Sequence, residues 1–164
     1  MKFGYIISII ASTAMSIYAL PAPAPYPRTE HKVTVLPPWN VTNFMASAVT
    51  LSHRDYFDFL VSFPPEAAQF HCDKYGTTLS EKLSDVEQTY CGNSSTHVSF
   101  KWNVQPDGCA ILSIVRQVDD GSIDEGVYVV PRNDIPLKGD GEFQHQVYTG
   151  PENFTVSAFR RDRR

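Results

Sequence analysis

VSFKWNVQPDGCAILSIVRQV, residues 98–118, decides the fold. Val98, Phe100, Trp102 and Val104 alternate with Ser99, Lys101 and Asn103, and a period of two is the pattern of a strand with one face on a core and the other toward water. Pro106-Asp107-Gly108 follows, pairing a preset backbone angle with a residue that tolerates positive φ, as a tight turn requires. Cys109 to Val118 is therefore expected to return as the second arm of a hairpin. In that arm Ile111, Leu112, Ile114 and Val115 put apolar groups on both faces, which predicts a central, doubly covered strand.

The same period recurs outward from the hairpin. Val41 to Leu51 begins after the breaker Pro37-Pro38, and Tyr56 to Phe63 places Phe57, Phe59, Val61 and Phe63 on one face before ending at Pro64-Pro65. The Trp102 indole is expected to pack against Phe57 or Phe59. Val127 to Val130, Phe143 to Tyr148 and Asn153 to Arg160 complete the set, with Gly139-Asp140-Gly141 and Thr149-Gly150-Pro151 as turns. In the last segment Phe154, Val156 and Ala158 face inward, and Asn153, Thr155 and Ser157 face water. These segments predict an all-β fold, a compact antiparallel β-barrel or β-sandwich of about seven or more strands. One stretch departs from the pattern. Thr78-Leu79-Ser80-Glu81 has the form of a capping box, and Leu79, Leu83, Val86 and Tyr90 recur at helical spacing, so a short helix is expected between Cys72 and Cys91.

Composition agrees with a single β domain. The chain has 164 residues, 42% apolar and 20% charged, with 12 Pro, 9 Gly, 10 Phe, 8 Tyr and 2 Trp, which favours aromatic-rich strands and turns over a helical bundle. The formal charge of −4 lacks the basic footprint of a nucleic-acid binder. Nucleic acid is excluded as a partner.

The first 19 residues read as a signal peptide. Lys2 is followed by the uncharged run FGYIISIIASTAMSIYAL, and a small-residue exit lies at Ala19. Ser8, Ser12, Thr13 and Ser16 dilute the run and no basic stop-transfer cluster follows, so stable membrane insertion is not expected. Secretion to the extracellular space is. Removing the segment takes away one Lys and leaves 13 basic against 18 acidic side chains, a net charge of −5. Residues 20–38 form a Pro-rich leader, residues 39–160 the β domain, and residues 161–164 a basic tail.

Secretion makes disulfides the natural state of cysteines. Cys72, Cys91 and Cys109 allow one intrachain bond, and Cys72 with Cys91 is the expected pair because the two bracket one loop-like segment. Cys109 is then either a buried, inert thiol or the bridge of a homodimer. Asn40-Val41-Thr42, Asn93-Ser94-Ser95 and Asn153-Phe154-Thr155 are three glycosylation sequons, as a secreted glycoprotein would carry.

No catalytic motif emerges. The chain has no G-x-S-x-G elbow, H-E-x-x-H helix, P-loop or G-x-G-x-x-G. His31, His53, His71, His97 and His145 are scattered without metal-ligand spacing, so no metal and no cofactor is expected. His71 beside Cys72 suggests an activated thiolate only if that cysteine is reduced. The acidic run Asp119 to Glu125 does not follow the spacing of an EF-hand and reads as a solvated hairpin turn.

In their order these features resemble a known family. The opening Val41-Thr42-Asn43-Phe44, the Cys-bracketed middle, the Phe/Trp strand, and the closing runs Val130-Pro131-Arg132-Asn133-Asp134-Ile135 and Val147-Tyr148-Thr149-Gly150-Pro151-Glu152-Asn153-Phe154-Thr155-Val156 look like the Alternaria major-allergen-like proteins. The resemblance spans roughly residues 39–160. It implies a compact antiparallel β-barrel or sandwich from a small secreted fungal protein, acting as an allergen, elicitor or virulence effector toward plant hosts. Members often carry a Cys soon after the opening strand and a second pair further on. Here Thr50 to Ser52 stand near the former place and only Cys109 comes later, so the resemblance does not carry over a second bridge or a dimer that depends on one.

Two function classes follow. The first is a non-enzymatic interaction protein that binds a host plant protein or a small apolar ligand. The second is a small secreted hydrolase of ribonuclease-like type, recruiting His53 with Asp55 or His145 with Glu142 as acid and base. A cleft bringing His, Arg and carboxylate groups together would favour the enzyme, and a closed apolar barrel the binding protein.

Overall fold

The computed structural model describes residues 33–49, 53–78, 80–118 and 122–162, apart from the side chains of Glu142 and Asp162. The signal peptide, most of the leader and the end of the basic tail lie outside them. The described residues form eleven strands and no α-helix: β1 Val33–Val35, β2 Trp39–Val49, β3 Arg54–Ser62, β4 Gln69–Thr77, β5 Val86–Tyr90, β6 Val98–Val104, β7 Ala110–Gln117, β8 Ser122–Val130, β9 Leu137–Lys138, β10 His145–Gln146 and β11 Phe154–Asp162. Eight join edge to edge in the order β4-β3-β2-β11-β8-β7-β6-β5, with β1 adding to β11. Every pairing is antiparallel. The sheet curls until its two ends, β4 and β5, meet at the Cys72–Cys91 disulfide, which leaves an almost closed barrel.

The hairpin forms as the alternation demands. Val98 pairs with Arg116, Trp102 with Leu112 and Val104 with Ala110. The turn closes through Gly108 N–H donating to Gln105 O at 2.9 Å, and Gly108 holds φ at +86°. Val98, Phe100 and Trp102 are buried, whereas Val104 is half-buried at the rim. The β7 expectation holds in position and fails in cover. β7 lies between β6 and β8, but Ile111 and Val115 are only half-buried because, among the described residues, no second layer crosses the outside of the barrel there.

Aromatic rings fill the interior. Trp102, Phe44, Phe57, Phe59, Phe63 and Phe100 are all essentially inaccessible. The Trp102 ring lies 5.3 Å from Phe57 and 6.1 Å from Phe44, and Phe59 meets Phe100 edge to face at 5.1 Å, within the 4.5–7 Å at which such rings attract. Trp39 caps one side by lying on Gly126, where a Cβ would come within 2.6 Å of its ring.

Several expectations need correction. The segment after Thr78 is not helical, because long-range partners take its backbone groups: Leu83 N–H donates to Gln146 Oε1 at 3.0 Å, Ser84 N–H to Asp55 Oδ2 at 3.1 Å, and Glu81 O accepts from Gln146 N–H at 2.6 Å. The Thr78 hydroxyl donates to Lys82 O at 2.8 Å instead of capping a helix, and Val86 to Tyr90 become strand β5. Phe143 to Tyr148 is mostly not a strand: His145 pairs with Lys138 and Gln146 with Leu137, and Val147 adds a single bridge to Ser47. The acidic run is not all turn. Ser122 to Glu125 open β8, and Asp124 is buried against Arg160, with contacts of 2.6 and 2.9 Å. Val33–Val35, within the expected leader, pairs with Arg161, Arg160 and Phe159. β4, with its mixed Gln, His, Asp, Lys and Gly, has no counterpart among the predicted segments.

Candidate binding face

The residues expected to carry chemistry are dispersed. Asp55 is fully buried and accepts from Ser84 N–H and Oγ–H, whereas His53 is exposed, with φ at 49° in the preceding turn. The pair therefore shares no pocket. His145 sits half-buried on β10, its Nδ1 3.2 Å from Phe143 O, and the Glu142 side chain lies outside the described ones. His71 Nε2 meets Asp58 Oδ1 at 3.2 Å on the outside of the barrel. Asp58 also accepts from the Tyr56 hydroxyl, and this hydrogen bond, with burial, holds the Tyr56 phenol well above its ordinary range. His97 is exposed behind a short 3₁₀ turn. Among the described residues no three His, Cys, Asp or Glu side chains gather as metal ligands.

Cys72 and Cys91 are bonded to each other, which removes the thiolate that His71 might have activated. Cys109 is a free, half-buried thiol beside the hairpin turn. Asn40, Asn93 and Asn153 are all exposed. The Asn153 amide oxygen accepts from Asn43 N–H at 3.2 Å, and that of Asn93 accepts from Ser95 N–H at 3.1 Å.

The interior of the barrel is filled by rings, so the open space lies on its outside. The strands β5 to β8 carry a hollow of about 400 Å³ on their outer face. Its floor follows from strand register: Ser99 pairs with Val115, Val115 with Glu125, and Lys101 with Ser113, so these outward side chains stand in neighbouring rows. Gln88, Tyr90, His97 and Gln117 form walls around them. Gln88 Nε2 donates to Ser99 Oγ at 2.9 Å, which satisfies a serine that is only 2% exposed. Glu125 is tied to Arg161 of β11 at 3.1 Å. The lining is thus dominated by hydroxyls and amides, with Tyr90 half out in solvent. Hydroxyls and amides offer adaptable hydrogen bonds, and a tyrosine adds rigid contact area at small entropic cost.

No protein-family model matches the sequence, and no curated protein matches it either. Among solved structures, the crystal structure of the Alternaria alternata major allergen Alt a 1 is similar. It shares 15% identity over 74% of this chain and 91% of that chain, with a TM-score of 0.48. A likeness of that degree says nothing of activity or partner.

Sequence reasoning did not anticipate two buried acids, though strand parity could have found them. Asp55 shares the inward parity of Phe57 and Phe59, and Asp124 that of Gly126 and Val130. A carboxylate at an inward position needs a partner, which Ser84 and Arg160 provide.

Proposed function

We propose that this is a secreted, non-enzymatic binding protein that engages a host protein through the outer face of β5 to β8. One observation carries the reading: the interior is packed with aromatic rings, while the hollow on that face is lined mostly by Tyr, Ser, Asn and Gln, beside His97, Lys101 and Glu125. Enclosure of a small apolar ligand is disfavoured by the same packing. Secretion rests on the signal-peptide pattern, the three exposed sequons and the disulfide. The effector or allergen-like role rests on the sequence resemblance alone.

Replacement of Ser113 by Arg in the floor of the hollow tests it. Extracellular fluid from host tissue is passed over immobilised protein, with Met45→Arg, on the distant outside of β2, as the control. Retained mass falls for Ser113→Arg and not for Met45→Arg. Equal retention by the two variants contradicts the reading.

A hydrolase of ribonuclease-like type has one observation in its favour, because His97 and Glu125 line the same hollow. Against it, His97 immediately precedes β6 while Glu125 lies on β8, with β7 between them, which spaces the backbones by about 10 Å, two strand intervals. Glu125 is also engaged by Arg161.

A further inference from the structure

β4 and β5 face each other without a ladder. Cys72 lies opposite Cys91, with a Cα separation of 4.1 Å. Carried onward antiparallel from that point, the register sets Lys74 against Thr89, Gly76 against Glu87 and Thr77 against Val86. Those residues line a hollow of about 360 Å³. The strands are thus pinned at the disulfide and part beyond it. β5 slips register against β6 between Val86 and Thr89, which puts a bulge where the two edges would otherwise join. β4 has no such break, since all nine of its residues pair in uninterrupted register with β3. Its other edge faces the gap.

A second feature of the gap is electrostatic. Asp55 backs it from inside the barrel, fully buried, and its Oδ1 has no hydrogen-bond partner. Nothing can be added between that oxygen and the strand, because a Cβ on Gly76 would lie 1.9 Å from it. Asp85 and Glu87 add two further carboxylates to the lining, against the single cation of Lys74. Oδ2 of the Asp55 carboxylate accepts from Ser84 N–H and Oγ–H, which leaves Oδ1 as the unsatisfied acceptor behind the gap.

We infer that the β4–β5 gap is a docking groove for an extended, basic peptide segment of a partner protein, which adds as a strand to the free edge of β4 and completes the barrel. Backbone pairing along Lys74 to Thr77 supplies the affinity, as in other strand additions. At about 3.3 Å per residue the unpaired stretch holds three or four residues of such a segment. Its Lys or Arg side chains meet the field of Asp55, Asp85 and Glu87. The inference is independent of the hollow on β5 to β8, which lies on the outer face of the sheet.

The test uses a fluorescein-labelled hexapeptide of alternating Thr and Val with two Lys substitutions, acetylated and amidated, titrated into the full protein purified from a secreting host. Three companions accompany it: the same peptide N-methylated at alternate residues, the same peptide with Glu in place of Lys, and labelled hexalysine. Binding is expected for the parent peptide, with tenfold or greater weakening on N-methylation and on the change to Glu. Hexalysine should bind more weakly than the parent. In the protein, Glu87→Lys should weaken binding and Lys74→Glu should tighten it. Tighter binding by Lys74→Glu must also weaken on N-methylation of the peptide, which adsorption to a misfolded acidic chain would not show, so the second substitution keeps the test decisive. No binding of the parent peptide, binding indifferent to N-methylation, or equal response to both charge reversals overturns the inference. Self-association of the protein that Glu87→Lys abolishes would assign the groove to a second copy of this chain and overturn it as well.

Discussion

Cys72 and Cys91, with Cα atoms 4.1 Å apart, join the two strands that stand at opposite ends of the sheet order. The bond therefore holds a barrel shut where backbone pairing is missing, in addition to closing a loop with a sequence separation of 19.

Replacing both cysteines by Ala should destabilise the fold by about 3 kcal/mol, the chain-entropy value for a loop of this length. Urea denaturation of the double variant and the parent checks this. Hydrogen exchange should show the loss concentrated in β4 and β5, and uniform acceleration across all strands would contradict a seam role for the bond.

Trp102 is fully buried, and its indole nitrogen has no hydrogen-bond partner. Trp102→Ala should cost about 3 to 5 kcal/mol through lost burial and a cavity. Trp102→Phe should cost far less than that, since the N–H it removes was already unsatisfied. Lys101→Ala, on the half-exposed face of the same strand, should change stability by under about 0.5 kcal/mol. Equal denaturation midpoints for Trp102→Ala and Lys101→Ala would mean that the register of the hairpin is shifted by one residue.

The Asp124–Arg160 pair joins β8 to β11 with a 4%-exposed carboxylate. Asp124→Ala should cost about 3 kcal/mol, at the low end for breaking a buried pair because the guanidinium keeps contact with water. Glu125→Ala, which removes the partner of the more exposed Arg161, should cost under about 1 kcal/mol. Thermal unfolding of the two variants separates the cases.

Burial first, then the neighbouring Tyr128 and Asp134, holds the Tyr148 phenol well above its ordinary value. Tyrosines of the unfolded chain ionise near pH 10, so this contribution to stability is intact below about pH 10 and declines as pH climbs from there toward the folded value. Absorbance titration at alkaline pH should find Tyr148 and Tyr56 resisting ionisation until the protein unfolds. Tyr148→Phe should make the alkaline loss of stability shallower, and an unchanged profile would contradict the assignment.

What the chain disclosed in advance follows the strength of its alternation. β6, β7 and β11 were legible because Phe100 and Trp102, Leu112 and Ile114, and Val156 and Ala158 sit two apart on one face. β4 was not, because its inward positions are Phe70, Cys72, Lys74 and Gly76, and only two are apolar. Between Thr78 and Tyr90 local spacing pointed to a helix, but Gln146 and Asp55, distant in sequence, claim the backbone donors there. The hollow on β5 to β8 was hidden for another reason: its residues read singly as solvent-facing, and only the register across four strands brings them together.

Turnover tests the central claim most directly, because a protein that works by surface recognition leaves substrates unchanged. Purified protein incubated with RNA, polysaccharide and ester substrates should give the background rate, unaltered by His97→Ala, Glu125→Gln, His53→Ala or His145→Ala. Turnover above background that disappears in His97→Ala or Glu125→Gln would contradict the account and make the hollow on β5 to β8 an active site.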